Sequence, residues 1–373
     1  MTSNIVTINL AALRHNFKTI QEWLRPSARV LCIIKADAYG HGMIPVASVL
    51  ASMGAYYFGV FEAEEGVALR EAGIRTPVLV LKGIDADEIP VVIEYNLAPG
   101  VFDLGTTKQL SDYALKHGAT VPVHIKVDTG MSRIGIPWRK MSEFINALLH
   151  MKGIIPTGIF SHLSVADDPA HPFTDIQMGR FQKVVAIAHQ FGIKNALIHI
   201  SNSGAILNQR GVESHLVRPG IILYGSLPSL ICPHKDELEP VMSFRSRVVQ
   251  VKKVSPGTSI SYGRSYIAQS QRVIATIPTG YDDGYSRLLS NKGVVLIRGR
   301  RAPIVGTVCM NATMVDVTEI EGVSPGDEVI LLGKQKKDRI TAEEIAEKIG
   351  TISYEIYCTI GKSNKRCYVG EIS

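Results

Sequence analysis

Lys35 ends an almost wholly apolar stretch, Arg29 to Ile34, and opens the string Lys35-Ala36-Asp37-Ala38-Tyr39-Gly40-His41-Gly42. An amine at the mouth of an apolar strand is partly desolvated, which lowers its pKa and suits it to Schiff-base chemistry. An isolated lysine in such a place more often lays its stem on apolar surface and sends its charge to water, so other reactive residues must agree with it. They recur at the ends of similar stretches. Lys126, Asp128 and Arg133 close one, His162 follows another, Asn202 and Ser203 a third, and Arg218 with Gly220 and Ile221 a fourth.

Elements that could gather these residues are visible in the first two-thirds of the chain. Eight apolar or β-branched runs occur at Val30–Ile34, Tyr56–Phe61, Pro77–Leu81, Leu97–Phe102, Val121–Val127, Pro156–Phe160, Ala196–Ile200 and Leu216–Ile222. Amphipathic stretches such as Glu62 to Ala72, Thr106 to Lys116, Met141 to Met151 and Thr174 to Phe191 separate them. Leu10, Leu13, Phe17, Ile20 and Leu24 recur at helical spacing behind Asn9, a suitable cap. Eight strands alternating with helices predict a (β/α)8 TIM-type barrel, whose active site lies at the carboxyl ends of the strands. The reactive residues all fall there. Asn202-Ser203-Gly204 before a helix-like stretch, with Gly220 allowing close backbone approach, makes a phosphate-binding cup. A cup facing a strand-end lysine points to pyridoxal 5'-phosphate (PLP).

The rhythm breaks at Leu227 to Pro240. Beyond it β-like runs follow at Arg247–Val254, Arg272–Ile277, Gly293–Ile297, Ala302–Val308, Thr313–Val317 and Glu328–Leu332, interrupted by one helix for which Thr341 and Glu344 offer a capping box. The expected organisation is a barrel over residues 9–235 and a mainly-β domain over 236–373, joined by residues 1–8.

The 373 residues carry a formal charge of +6, and 46% are hydrophobic, as in a soluble globular protein. Five scattered cysteines have no metal-ligand spacing and read as reduced thiols. Met1 to Val6 show neither a basic nor an apolar signal region, and no apolar run approaches a membrane span, so a cytoplasmic protein is expected. Small basic clusters such as Arg298 to Arg301 read as solvated faces; no nucleic-acid or membrane partner and no metal are expected.

Eight short motifs, in order, resemble those of alanine racemases. They are Lys35 to Gly42, Lys126-Val127-Asp128-Thr129-Gly130-Met131-Ser132-Arg133, Phe160-Ser161-His162-Leu163, Arg218-Pro219-Gly220-Ile221, Ser261-Tyr262-Gly263, Gly280-Tyr281-Asp282-Asp283-Gly284-Tyr285, Val308-Cys309-Met310 and Ser353-Tyr354-Glu355. The resemblance implies a PLP-dependent isomerase that interconverts L- and D-alanine, the latter a peptidoglycan precursor. By it Lys35 carries PLP covalently; Tyr39, Ser203, Gly220, Ile221 and Tyr354 hold the phosphate, beside Asn202; and Arg218 faces the pyridine nitrogen, with His162 nearby. Tyr262 is the second base, supplied by the partner subunit of a head-to-tail homodimer with shared active sites. Arg133 offers a fork to the substrate carboxylate or the cofactor O3′, and the Met310 N–H is the second carboxylate contact. Lys126 is carbamylated in many relatives, although a plain lysine fits the residues equally well. Asn311 replaces the aspartate usual after Cys-Met, which leaves the organisation of the site entrance open. Asp37, in place of the commoner asparagine, is an ordinary variant.

Three alternatives share some of these features: a decarboxylase of the same architecture, a barrel-only PLP carrier, and a racemase of broader specificity. Arg218 and Tyr262 argue against the first, the β-rich third of the chain against the second, and the missing export signal against the third.

Overall fold

The computed structural model describes residues 4–229, 231–234 and 236–370. Residues 1–3, 235 and 371–373, which the expected domain ranges include, lie outside them, as does residue 230. Eight parallel strands form the barrel wall: Arg29–Ile33, Tyr57–Val60, Val78–Val80, Ala98–Val101, Val121–Asp128, Ile154–Phe160, Leu197–His199 and Leu216–Val217. Leu216–Val217 pairs with Arg29–Val30, and the Arg218 N–H donates to the Ser201 carbonyl at 3.0 Å, so the last two strands nearly close the ring. Most wall residues are buried, which is why each strand reads as a continuous apolar run.

The eighth strand is shorter than expected. Pro219 has no N–H to give to a ladder, and Ile221–Tyr224 turns into a 3-10 helix. Against that turn lies the helix Leu10–Glu22, whose Asn16 amide donates to the carbonyls of Leu223 (3.1 Å) and Glu239 (2.7 Å). Leu10, Leu13, Phe17 and Ile20 are fully buried, each contributing about 1.5–3 kcal/mol. The Asn9 side chain accepts the N–H groups of Ala11 and Ala12. Among the described residues no helix is long and apolar enough to cross a membrane.

The second domain is mainly β. Its largest sheet runs Arg300–Pro303, Val294–Ile297, Glu328–Gln335, Met242–Arg247, Ile5–Asn9, Arg366–Val369. Ile5–Asn9 is antiparallel to Met242–Arg247 and parallel to Arg366–Val369, so both ends of the described chain meet in one sheet. The single run expected at Arg247–Val254 is two strands, Met242–Arg247 and Gln250–Val254, which belong to different sheets. Ala302–Val308 is instead Arg300–Pro303, because the chain leaves the ladder after Pro303 and Gly306 takes a positive φ. Thr341 does accept the Glu344 N–H, but the Glu344 carboxylate binds Arg301 rather than closing a capping box. A second helix, Ser353–Ser363, carries Tyr354.

The segment after Lys35 is a left-handed turn. Ala36, Asp37, Ala38 and Tyr39 have φ of 52°, 53°, 55° and 54°. The turn is closed by hydrogen bonds from Ala38 N–H to the Ile34 carbonyl (2.8 Å) and from Gly40 N–H to the Ala36 carbonyl (3.0 Å).

Replacing Asn9 with alanine should lower stability in urea denaturation by about 1 kcal/mol, and replacing it with glycine by a few tenths. Equal losses would mean that the side-chain oxygen is not what caps Leu10–Glu22.

Candidate active site

At the carboxyl ends of the strands a cavity of about 480 Å³ opens, and Lys35, Lys126, Arg133, His162 and Arg218 all line it. So do Tyr39, Asn202, Ser203, Gly220, Ile221 and Tyr354. Eleven of the thirteen residues expected at the site therefore share one cavity, although they come from five strand ends and the helix Ser353–Ser363.

The cavity is rich in cations held in a low-dielectric setting. Burial, and then the Arg133 charge, lower the Lys35 pKa; its Nζ lies 5.2 Å from the Phe61 ring centroid. Lys126 is only 7% exposed, and burial together with Arg218 and Arg133 holds its amine well below the ordinary lysine value. Its Nζ stands 4.3 Å over the Phe160 ring. Arg133 is exposed and has no hydrogen-bond or ion-pair partner among the described residues. Two phosphate charges and a substrate carboxylate would balance such a cavity.

Arg218 is the best-anchored of these cations. Its Nη2 donates to the carbonyls of Ser161 (2.6 Å) and Ile200 (3.0 Å) and lies 3.5 Å from His162 Nδ1. Its Nη1 donates to His199 Nδ1 at 3.0 Å. Burial and Arg133 push the guanidinium down to about 9, so it stays charged at neutral pH. His199 must then carry its proton on Nε2, which lies 2.9 Å from His124 Nδ1. His124 is left with its own proton on Nε2, a buried atom with no partner among the described residues. Burial, then Arg218, keep both imidazoles uncharged. His124 and His199 are absent from the residues expected at the site; a histidine in the middle of an apolar strand is the signal that could have marked them.

Around the opposite end of the cavity the polar groups are backbone donors. Asn202 caps the helix Ser203–Leu207 through the Ala205 N–H (3.1 Å) and ties it to the Leu163 carbonyl (3.0 Å). Gly220 N–H donates to Ser203 Oγ at 2.9 Å. The N–H groups of Ser203, Gly204 and Ile221 have no acceptor among the described residues, as expected for helix starts that wait for an anion. A Cβ at Gly220 would lie 2.6 Å from the Tyr39 hydroxyl, so only glycine leaves this cradle open. Burial raises the Tyr39 and Tyr354 phenols, which stay protonated as donors. This donor set fits PLP: a phosphate cradle at one end, a lysine of lowered pKa, and an Arg218 Nε–H that has no partner among the described residues.

Tyr262 and Met310 are elsewhere. Neither lines the cavity. Both project from the second domain, 71% and 54% exposed. They share a face, because Ser261 Oγ donates to the Thr307 carbonyl (2.6 Å) and Thr307 Oγ1 to the Tyr262 carbonyl (3.0 Å), just ahead of Met310. Asn311 also lies here and donates to Asp282 at 3.2 Å.

Family models describe the same two halves: residues 8–228 match "Alanine racemase, N-terminal domain" and residues 241–368 match "Alanine racemase, C-terminal domain". The chain belongs to the alanine racemase family. The alanine racemase of Syntrophobacter fumaroxidans is 45% identical over 368 residues, covering 99% of this chain and 98% of that one. The solved alanine racemase of Clostridium difficile 630 superposes with a TM-score of 0.91 at 35% identity, over 99% and 96% of the two chains. That of Bartonella henselae, solved with covalently bound pyridoxal phosphate, gives 0.90 at 29% identity, over 99% and 100%. The reaction is therefore the racemisation of alanine, and the family is one of PLP enzymes.

Three buried histidines, and the half-buried His162, make stability depend on pH. Burial lowers His41 to about 4 and His124 to about 3, and holds His162 and His199 well below the usual value. Unfolded histidine takes up a proton below ~6.5, so the stability these groups contribute is complete above that pH. It is lost as pH falls toward the folded values, at up to ~1.4 kcal/mol per pH unit for each. Denaturation series from pH 7.5 to 5 should show the decline starting near 6.5, with a shallower slope for His124→Gln. Stability unchanged down to pH 5.5 would contradict the uncharged assignment.

Proposed function

We propose that this chain racemises alanine with two bases, Lys35 acting on one face of Cα and Tyr262 of the partner subunit acting on the other. The observation that carries this reading is the separation of the two halves of the site. The lysine, the phosphate cradle and Arg218 share one cavity, while Tyr262, the second base that the resemblance implies, projects into solvent from the other domain. A head-to-tail homodimer would bring each Tyr262 into the other subunit's cavity, along with the Met310 N–H.

When bound, PLP supplies the electron sink that acidifies the Cα–H bond. Lys35 would hold it covalently, with its phosphate on Ser203, Gly220, Ile221, Tyr39 and Tyr354, and its ring nitrogen toward the Arg218 Nε–H. An arginine keeps its proton, so Arg218 would leave the ring nitrogen unprotonated and the sink weak. That suits an enzyme which must return the proton quickly, before side reactions intervene. Asn202 acts through Ser203, whose helix it caps. Arg133 offers its fork to the substrate carboxylate.

Lys35 can take or return the Cα proton because burial favours its free amine. Tyr262 offers a phenol, which needs help from its neighbours to act as a base. His162 is uncharged and accepts from Arg218 on Nδ1, which leaves its Nε2–H to stabilise the phenolate. Lys126, equally starved of charge, is suited to react with carbon dioxide: nitrogen bonds to carbon, a proton leaves, and the resulting carbamate orients Arg133. Its signature would be one carbon dioxide of extra mass on Lys126.

Tyr262→Phe should slow racemisation of either enantiomer by about 10²–10⁴-fold. In D2O, proton NMR should still show Cα–H exchange from D-alanine by way of Lys35, and none from L-alanine. Equal residual exchange from both would mean that one base serves both faces.

Subunit sharing has its own test. Lys35→Ala and Tyr262→Phe proteins, each inactive, should regain activity on mixing in about a quarter of sites, since each mixed C2 dimer has one intact site. No recovery despite proven exchange of subunits would place both residues in one chain.

A further inference from the structure

Lys35 immediately precedes the left-handed turn Ala36 to Tyr39, and the groups that hold this turn come from outside its own strand. At its start the Ala36 N–H donates to Glu65 Oε1 at 2.7 Å, while Glu65 Oε2 accepts the N–H groups of Phe61 (2.7 Å) and Glu62 (3.2 Å). In its middle Asp37 uses both carboxylate oxygens. Oδ1 accepts the Met43 N–H at 2.6 Å, and Oδ2 pairs with Arg366. The same Arg366 Nη1 donates to the Gly40 carbonyl at 3.1 Å. Arg366 begins the strand Arg366–Val369, which is paired with Ile5–Asn9 in the large sheet of the second domain. A Cβ on Gly361 would strike the Gly40 carbonyl and one on Gly40 the Tyr357 carbonyl, so the turn also rests directly on the backbone of Ser353–Ser363.

We propose that Arg366 is a positioning residue for Lys35: bound to Asp37 and to the Gly40 carbonyl, it locks the left-handed turn to the second domain and so sets where the Lys35 amine points. Glu65 fixes the other end of the same turn. The proposal rests on the reading of Lys35 as the cofactor lysine.

An exposed ion pair contributes little to stability by itself. This one acts on residues that sterics drive out of the left-handed region, and relaxation of the turn would redirect the Lys35 Cα–Cβ bond and withdraw Tyr39 from Gly220. Its loss should therefore show in the geometry of the site more than in the stability of the fold.

The test uses Arg366→Ala, Arg366→Lys, Asp37→Ala and the Arg366→Ala/Asp37→Ala double variant, each as PLP-loaded protein. Arg366→Ala should lower kcat by about 10- to 100-fold, the scale of a misplaced reacting group, and leave KM for alanine within about twofold. Arg366→Lys should recover part of kcat, and the double variant should be no worse than the more damaged single one. Independently of activity, hydrogen exchange of the Ala38, Gly40 and Gly42 amides should quicken at least ~10-fold in Arg366→Ala, with the strand Val121–Asp128 unchanged. Unchanged turn amides and kcat would overturn the proposal. So would faster exchange confined to Ile5–Asn9, Met242–Arg247 and Arg366–Val369, since Arg366 would then hold only its own sheet. If Arg366→Ala does not fold, Asp37→Ala carries the same expectation through the other half of the pair. A Lys35→Ala protein in which borohydride still fixed the cofactor would instead overturn the Lys35 assignment, while the exchange rates would continue to report the clamp.

Discussion

Four consecutive residues with side chains, Ala36 to Tyr39, are held in the left-handed region at a cost on the order of 4–8 kcal/mol if each contributes roughly 1–2. No local sequence preference offsets that. What does is the surrounding structure: Glu65 at one end, Asp37 and Arg366 in the middle, and His41 stacked on Tyr224 at 4.4 Å and tilted against Tyr357 at 5.1 Å. The barrel and the second domain both contribute, so neither supplies the whole support for the turn. Lys35 reaches the cavity and Tyr39 reaches Gly220 only while this turn persists, which makes the interface between the domains part of the site. Backbone strain maintained by several independent contacts is a usual mark of a functional turn.

The cavity shows a second constraint, electrostatic rather than steric. Lys35, Lys126, Arg133 and Arg218 line one space, and each lowers the proton affinity of a neighbour. Among the described residues no carboxylate pairs with Arg218; carbonyls and uncharged histidines surround the guanidinium. A carboxylate there would stabilise the arginine in the absence of cofactor, but it would also add a negative charge to the end of the cavity opposite the phosphate cradle. Chaining His199 to His124 satisfies the arginine without that charge and leaves one unpaired N–H at the far end.

Much of the barrel is legible in the sequence because parallel strands are buried on both faces, so eight apolar runs stand out between amphipathic helices. Boundaries blur where apolarity outlasts pairing, as from Val217 through Pro219 and Gly220 into Ile221. The residues of the cavity are legible for a related reason: polar groups at the ends of apolar runs are conspicuous. The left-handed turn is not legible, since Ala36, Ala38 and Tyr39 have no intrinsic preference for it and only distant contacts impose it. The helix Ser353–Ser363 is obscured by Gly361, a poor helix former required there by the close approach of Gly40. The two strands merged at Arg247–Val254 are apolar and basic in similar measure, and only their partners distinguish them.

Tyr262 carries the same logic to the surface. Its turn contains Ser261 at φ 67° and Arg264 at φ 51° around Gly263, and hydrogen bonds from Ser261 and Thr307 hold it in place. A strained, well-anchored turn that presents a phenol to solvent gains nothing for a lone subunit, because an exposed tyrosine contributes little packing and has water as its partner. The geometry has a purpose if a second copy covers it. Under twofold symmetry each subunit lends one tyrosine and receives one, so a single surface pays twice and both cavities are completed together. On the proposed two-base reading, the division would also separate the two bases in a way one chain could not easily achieve: Lys35 is fixed from within its own fold, whereas its opposite number would arrive from outside, across the space the substrate must occupy.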